Sequence, residues 1–493
     1  MKHVLAIDEG TTGVTCLVVS ARGEIVGRGY SEITQYFPKP GWVEHDAAEI
    51  FERTVATARS AIASAGVTPD AIGITNQRET IVVWDRETGE PLHRAIVWQD
   101  RRTADRCREL EPGSPEITRL TGLPVNPYFS GTKLEVLLRV PRVAERLDQG
   151  AVLAGTIDAW LIWKLTGGDV HATDPTNASR TLLFDINERS WSDVLCKLLN
   201  VDRRVLPEVR KSSGDFGKTR VEYFGASIPI SGVAGDQQAA LFGQACVNPG
   251  EGKNTYGTGA FLLLNTGKMR PLASEGILAT IACDASGDYA YALEGSIFIA
   301  GAAVQWLRDG LGIIEKAPES EDLARSLESN DGVFFVPALT GLGAPHWKPD
   351  ARGTIVGLTR GTTRAHLARA ALEAMAYGTA DLLEAMRITG AFFNRLRVDG
   401  GASSNNWMMQ FQSDIIGVPV ERPEVVETTA MGAAGLAGIA AGVWRDSSEF
   451  HSVRSFTTFE PRIDDKSRYE LLAGWNRAVA TTLYWARYPN SSL

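Results

Sequence analysis

Short apolar runs broken by glycine turns, followed by a helical repeat, constrain this chain most. Residues 4–8, 15–20 and 25–30 are apolar runs, joined by Glu9-Gly10-Thr11-Thr12-Gly13 and Ala21-Arg22-Gly23. That pattern predicts three strands in a meander. Over Ala47–Ala65 the period changes, with Ile50, Phe51, Val55, Ala58 and Ile62 on one helical face. Residues 70–75 and 81–84 return to strand character. Strands alternating with helices imply α/β layers. A similar series starts again in the second half, with strands expected across 253–265, 289–294 and 396–398. Helices are expected over 301–309 and 363–386, and from about Asn405. At 493 residues the chain is too long for one core. Val247-Asn248-Pro249-Gly250-Glu251-Gly252 breaks regular structure, so the expected domains are 1–247 and 248–493. The two β-rich openings suggest a duplication that sequence self-similarity is too weak to show.

Composition removes several function classes. A net charge of −9 argues against nucleic acid or an anionic membrane as the main partner. No run approaches ~18 apolar residues, so no membrane span is expected. No secretory signal is legible after Met1-Lys2-His3. The five cysteines are scattered, with no CxxC spacing. They fit reduced thiols in a cytoplasm and offer no metal site.

Chemistry concentrates in glycine turns at strand ends. In Asp8-Glu9-Gly10-Thr11-Thr12-Gly13, glycines allow close backbone approach to a phosphate, and a strand-end Asp can hold Mg²⁺. A plain hairpin turn explains the same residues. Thr255-Tyr256-Gly257-Thr258-Gly259 repeats the pattern in the second half, and the two turns could grip phosphates from both sides of a cleft. Asp399-Gly400-Gly401-Ala402-Ser403-Ser404-Asn405 adds a glycine turn at a helix start, which suits a nucleotide. No Walker A motif is present. Residues 212–219 end in Gly217-Lys218-Thr219 but read as a solvated loop. Asp236, after the apolar run 228–234, reads equally as a general base in phosphoryl transfer and as a helix N-cap. Arg78-Glu79 offers a donor fork beside a double acceptor, which suits vicinal hydroxyls. Taken alone it reads more simply as a solvated hairpin. Trp98 and Tyr128 could wall a small ligand, although such aromatics usually belong to cores.

Together and in this order, these segments resemble the FGGY family of carbohydrate kinases over essentially the whole chain. The most specific stretches are Ile74-Thr75-Asn76-Gln77-Arg78-Glu79-Thr80, Ala95-Ile96-Val97-Trp98-Gln99 and Pro127-Tyr128-Phe129-Ser130-Gly131-Thr132-Lys133. To these add Ala234-Gly235-Asp236-Gln237-Gln238 and Lys253-Asn254-Thr255-Tyr256-Gly257-Thr258-Gly259. The resemblance implies an α/β fold of two ribonuclease-H-like domains, as in the actin/hexokinase/Hsp70 superfamily, around a central cleft. It implies phosphorylation of glycerol by ATP with Mg²⁺ in a cytoplasmic dimer or tetramer. Glycerol would meet Arg78, Glu79, Tyr128, Asp236 and Gln237, with Trp98 and Phe261 against its carbons. Asp236 would be the catalytic base. Asp8 and Asp236 would place Mg²⁺, and Thr11, Thr12, Gly257, Thr258, Gly301, Gln305, Gly401 and Asn405 would contact the nucleotide. Rival readings are a kinase for another polyol or a ketose, and a non-catalytic ATP-gated clamp.

Three positions depart from the family pattern. The family's first loop commonly runs Gly-Thr-Thr-Ser-Ser-Arg, and Thr15 stands where that Arg reaches toward phosphate. Ser227 stands where some members carry an Arg for fructose 1,6-bisphosphate. Val136 replaces a common Trp.

Overall fold

The early meander closes as expected: His3–Glu9 pairs antiparallel with Gly13–Ser20, which pairs antiparallel with Ile25–Glu32. The computed structural model describes residues 1–274 and 276–487, so the last six residues of the expected second domain lie outside the described residues. On its other edge His3–Glu9 runs parallel to Ala71–Asn76, and that strand runs parallel to Ile230–Gly235. Ala71–Asn76 is buried throughout, as a parallel strand covered on both faces must be.

Helix Ala47–Ala65 covers one face of this sheet. Asp46 starts it, its Oδ1 accepting from the backbone N–H of Ala48 (2.9 Å) and Glu49 (3.3 Å). Gly66 ends it at φ 66°. The helix lies directly on Ile25–Glu32 because Gly27 and Gly29 leave room. A Cβ on Gly27 would stand 2.3 Å from the Ala61 carbonyl.

Helices Asp236–Gly243 and Thr428–Ala440 cover the opposite face. Val4, Ala6, Ala71 and Ala234 of the sheet pack there against Ala239, Ala430, Ala434 and Ala437. Thr428–Ala440 comes from the half of the chain expected to form the second domain, yet it packs on the first sheet. The reason is side-chain size. A Cβ on Gly432 would stand 1.8 Å from the Ala239 carbonyl, and one on Gly243 would stand 2.0 Å from that of Thr428. The two helices therefore meet backbone to backbone.

The second sheet runs Leu278–Cys283, Tyr289–Ile297, Ala260–Gly267, Glu251–Tyr256, Arg395–Asp399, Val420–Pro423, Phe456–Phe459. Its first strand in sequence, Glu251–Tyr256, has an antiparallel meander on one side and parallel strands on the other. The first sheet has the same plan around His3–Glu9. This shared topology is the internal repeat that the residues alone could not show. It is the arrangement of two ribonuclease-H-like α/β domains.

The strand at 81–84 and the helix at 363–386 form as expected, whereas the reading of 212–219 as a solvated loop does not hold. Ile81–Asp85 is the expected strand. It pairs with Val152–Thr156 in a separate sheet, whose core includes Ile81, Val83, Phe129 and Leu134. Residues 212–219 are not a solvated loop. Gly214 N–H bonds Ser231 O (3.0 Å) and Phe216 N–H bonds Ile230 O (2.9 Å), and the Phe216 side chain is fully buried. The helix expected over 363–386 spans Arg364–Ile388, with Thr363 and His366 forming a reciprocal cap. No described helix is long and apolar enough to cross a membrane. All five cysteines are free and buried.

Candidate active site

Parallel strands of one sheet end at one edge, and that edge gathers the carboxylates. Asp8 is level with Thr75, and Thr75 is level with Ala234. Asp236 follows two residues later as the first residue of helix Asp236–Gly243. Thr15 is the direct antiparallel partner of Asp8, so both side chains share one face of the sheet. Both are partly exposed. Burial, and then the nearby charge of Asp236, raises the Asp8 carboxyl to about 7. The Asp8 carboxylate forms no hydrogen bond or ion pair with the described residues. Its neighbour Glu9 is fully buried, and Gln77 Nε2 donates to both of its oxygens at 3.2 Å.

Next to these carboxylates lies a buried array of charges. Glu79 adopts φ +63°, a left-handed conformation uncommon for a side-chain-bearing residue. Arg78 Nη1 and Nη2 donate to Glu294 at 2.7 and 3.0 Å, and Arg78 Nε lies 3.1 Å from Asp236 Oδ1. Arg180 Nε donates to Glu79 Oε1 at 2.5 Å, and Arg180 Nη2 donates to Glu294 at 3.2 Å. Glu79 Oε2 and Arg180 Nη1 are buried without a partner. Such orphaned groups are costly unless a ligand or water completes them. Burial alone would push the Glu294 carboxyl up, but Arg180 and Arg78 outweigh it and hold it at about 2. Glu79 is raised, because burial exceeds the help of Arg180 and Arg78.

Aromatic side chains form the wall. Trp98 and Tyr128 meet edge to face at 5.4 Å, and Trp98 Nε1 donates to Thr11 Oγ1 at 2.9 Å. The Thr11 hydroxyl is thus tied to this wall, while Thr12 is exposed. Fully buried Lys133 donates to the carbonyls of Val97 (2.8 Å), Trp98 (3.0 Å) and Tyr128 (3.0 Å). Burial pushes its ammonium down to about 7, against three acceptors that only the protonated form can serve together.

Gln237 joins the two halves. Its Oε1 accepts from Lys253 Nζ, which also donates to Thr255 Oγ1 at 3.0 Å. Phe261 is the cross-strand partner of Thr255 on the second sheet, and it faces Ser296 of the strand that carries Glu294. The second glycine turn packs on a helix start. Gly301 N–H bonds Gly257 O (3.0 Å) and Ala300 N–H bonds Thr258 O (2.8 Å). A Cβ on Gly301 would stand 2.6 Å from Gly257 O, so only glycine fits. Gln305 is exposed one turn along that helix. Gly400 (φ +84°) lies against the Tyr256 backbone, Gly401 faces open space, and Asn405 caps helix Asn406–Ile416 through Met408 N–H at 2.9 Å.

The two glycine turns, the Arg78-Glu79 pair and Asp236 thus lie at the meeting of two like domains. Models of the FGGY family of carbohydrate kinases match residues 3–243 with its N-terminal domain and 252–441 with its C-terminal domain. The chain belongs to the FGGY family of carbohydrate kinases. This FGGY kinase is 54% identical to glycerol kinase 2 of Thermotoga maritima, over 99% of this chain and all of that protein. It is 52% identical to glycerol kinase of Deinococcus radiodurans, over 98% of each. Its fold matches the crystal structure of Plasmodium falciparum glycerol kinase with ADP at TM-score 0.94 and 39% identity, over 98% of each chain. A xylulose kinase of Rhodospirillum rubrum, at TM-score 0.89 and 22% identity, shares the fold.

Glu294 and Arg180 of this cluster escaped the sequence reading, and Lys133 and Lys253 stood in its quoted stretches without a role. Each is a charged residue in buried surroundings. Glu294 gave the clearest signal, as the lone charge in the strand Tyr289–Ile297. The Ser227 hydroxyl donates to Thr219 O at 3.0 Å.

Proposed function

We propose that this chain transfers the γ-phosphoryl group of ATP to glycerol, giving ADP and sn-glycerol 3-phosphate. The observation that carries glycerol as the acceptor is 51–54% identity over nearly the whole chain to curated proteins named glycerol kinase. The site chemistry agrees. Glu79 Oε2 is an open acceptor beside the Arg78 fork, and a vicinal diol supplies donors and acceptors together. Trp98, Tyr128 and Phe261 would pack on the carbons.

Asp236 takes the hydroxyl proton. Its Oδ1 is occupied by Gln237 N–H at 2.7 Å and Arg78 Nε at 3.1 Å. Its Oδ2 has only a long contact, 3.5 Å from Gln237 Nε2. Oδ2 is therefore the basic atom left to the substrate. The deprotonating hydroxyl oxygen bonds to the γ-phosphorus in line as the bond to the ADP oxygen breaks. A clamp without catalysis has no use for such an oxygen.

No group of three or more His, Cys, Asp or Glu side chains among the described residues could hold a metal. Two carboxylates fit Mg²⁺ nonetheless, since it keeps waters and takes phosphate oxygens for the rest of its shell. Asp8, with its carboxylate free of protein partners, and Asp236 would hold it. Mg²⁺ supplies neutralisation of phosphate charge. Thr12, Gly257, Thr258, Gly301, Gln305, Gly401 and Asn405 would contact the nucleotide. Assembly as a dimer or tetramer and a cytoplasmic location belong to the same proposal and rest on the family resemblance.

Thr15 shares the sheet face of Asp8, so an Arg there would reach the phosphate side rather than the core. Thr15→Arg is expected to lower the Michaelis constant for MgATP or raise turnover, by roughly 1.5–3 kcal/mol for a charge-assisted bond. A folded variant with unchanged MgATP kinetics would remove position 15 from the phosphate site. The function itself is tested by ADP release with glycerol, dihydroxyacetone, erythritol and xylulose. Glycerol should give the highest kcat/KM; a preference for xylulose would overturn the proposal.

A further inference from the structure

Glu294 lies on Tyr289–Ile297, inside the second sheet, but its partners are in the first half of the chain. Both its oxygens are engaged by Arg78, at 2.7 and 3.0 Å, and Arg180 Nη2 adds a third bond at 3.2 Å. Arg78, Arg180 and Glu294 are all buried, at 3%, 0% and 3% exposure. Two guanidinium groups so close repel each other unless anions lie between them. Glu79 serves Arg180, and Asp236 meets only Arg78 Nε. The terminal nitrogens of Arg78 face Glu294 and Gln238.

We propose that Glu294 is a positioning residue, with which the second domain fixes the Arg78 fork and couples the placement of the two sheets to polyol affinity. The proposal rests on the reading of Arg78 as a substrate-binding residue. A bidentate pair across the domain junction holds only at one separation of the sheets. Opening the junction by a few ångströms would free the fork and weaken polyol binding. The proposed nucleotide contacts, Thr12 in the first half and Gly257 and Gly401 in the second, need that same separation, so the coupling is reciprocal: polyol tightens nucleotide binding and nucleotide tightens polyol binding.

The test uses Glu294→Gln on the full chain, with Arg78→Lys measured beside it. Gln keeps the shape but turns an amide N–H toward a guanidinium N–H. Readouts are kcat, the Michaelis constants for glycerol and MgATP, and the ADP dissociation constant with and without glycerol. Both variants should raise the glycerol constant by roughly 10–100-fold, while the MgATP constant moves less than about threefold. The factor by which glycerol tightens ADP should fall toward one in Glu294→Gln. Glu294→Asp keeps the charge and should recover part of each loss; it carries the test if the Gln variant does not fold. A folded Glu294→Gln variant with unchanged glycerol affinity and coupling, beside an impaired Arg78→Lys, would overturn this inference and leave Arg78 as a ligand. Arg78→Lys with unchanged glycerol affinity would overturn both. A parent enzyme whose ADP affinity ignores glycerol would overturn the coupling.

Discussion

Asp236→Asn is expected to fold, to bind glycerol, and to lose turnover by roughly 10²–10⁴-fold, the usual cost of removing a general base. The amide keeps the shape of the carboxylate and can still accept from the backbone N–H of Gln237, which now bonds Oδ1 at 2.7 Å. It cannot take the hydroxyl proton. Because Arg78 retains Glu294 and Gln238 as partners, losing the Asp236 charge does not strand it. Steady-state kinetics, together with a thermal shift on adding glycerol, separate the two effects. A variant within a few-fold of the parent in kcat would remove Asp236 from the base role.

Asp8→Asn is expected to lower turnover and raise stability at the same time. The Asp8 carboxyl is raised to about 7, first by burial and then by Asp236, whereas an unfolded Asp titrates near ~3.9. With the folded value above the unfolded one, the stability this group contributes is fully present below about pH 4. It is lost as the pH rises through about 7. Above that the partly desolvated carboxylate, set beside Asp236, is a cost to the fold, and Asn removes the cost. The gain should be roughly 1–2 kcal/mol at pH 8, discounted for partial exposure, and near zero at pH 4. The neutral Asn amide is a weaker ligand for Mg²⁺ than a carboxylate, so kcat should fall by roughly 10²-fold or more. Thermal unfolding at the two pH values and kinetics at pH 8 test both halves. An Asn variant that is fully active, or less stable at pH 8, would contradict the placement of Asp8.

Much of the fold was legible because its signals are local. Helix Ala47–Ala65 was marked by its periodic apolar residues, and the structure adds Asp46 and Gly66 as its caps. Helix Gly301–Asp309 and the Asn405 cap were likewise local. Strand partnership is a long-range choice, so the residues near Ile81 marked a strand but not its partner, Val152–Thr156. Thr428–Ala440 has almost no polar face to orient it. Its place is set by Gly432 lying against Ala239, nearly two hundred positions earlier. The site divides the same way. Asp236 and the two glycine turns stood out as strand-end chemistry, but Arg78-Glu79 read locally as a solvated hairpin, and the family resemblance overruled that. The structure gives the physical reason: the pair is buried because Glu294 and Arg180, remote in sequence, balance its charges.

The most direct test of the account is a crystal structure with glycerol and a non-hydrolysable ATP analogue. One terminal glycerol hydroxyl should lie within about 3 Å of Asp236 Oδ2, the reach of a base for the proton it takes. The same glycerol should donate to Glu79 Oε2, and the γ-phosphate should face that terminal hydroxyl from the Gly257 and Gly401 side. Glycerol bound elsewhere, with Glu79 Oε2 left unfilled and no hydroxyl near Asp236, would contradict it.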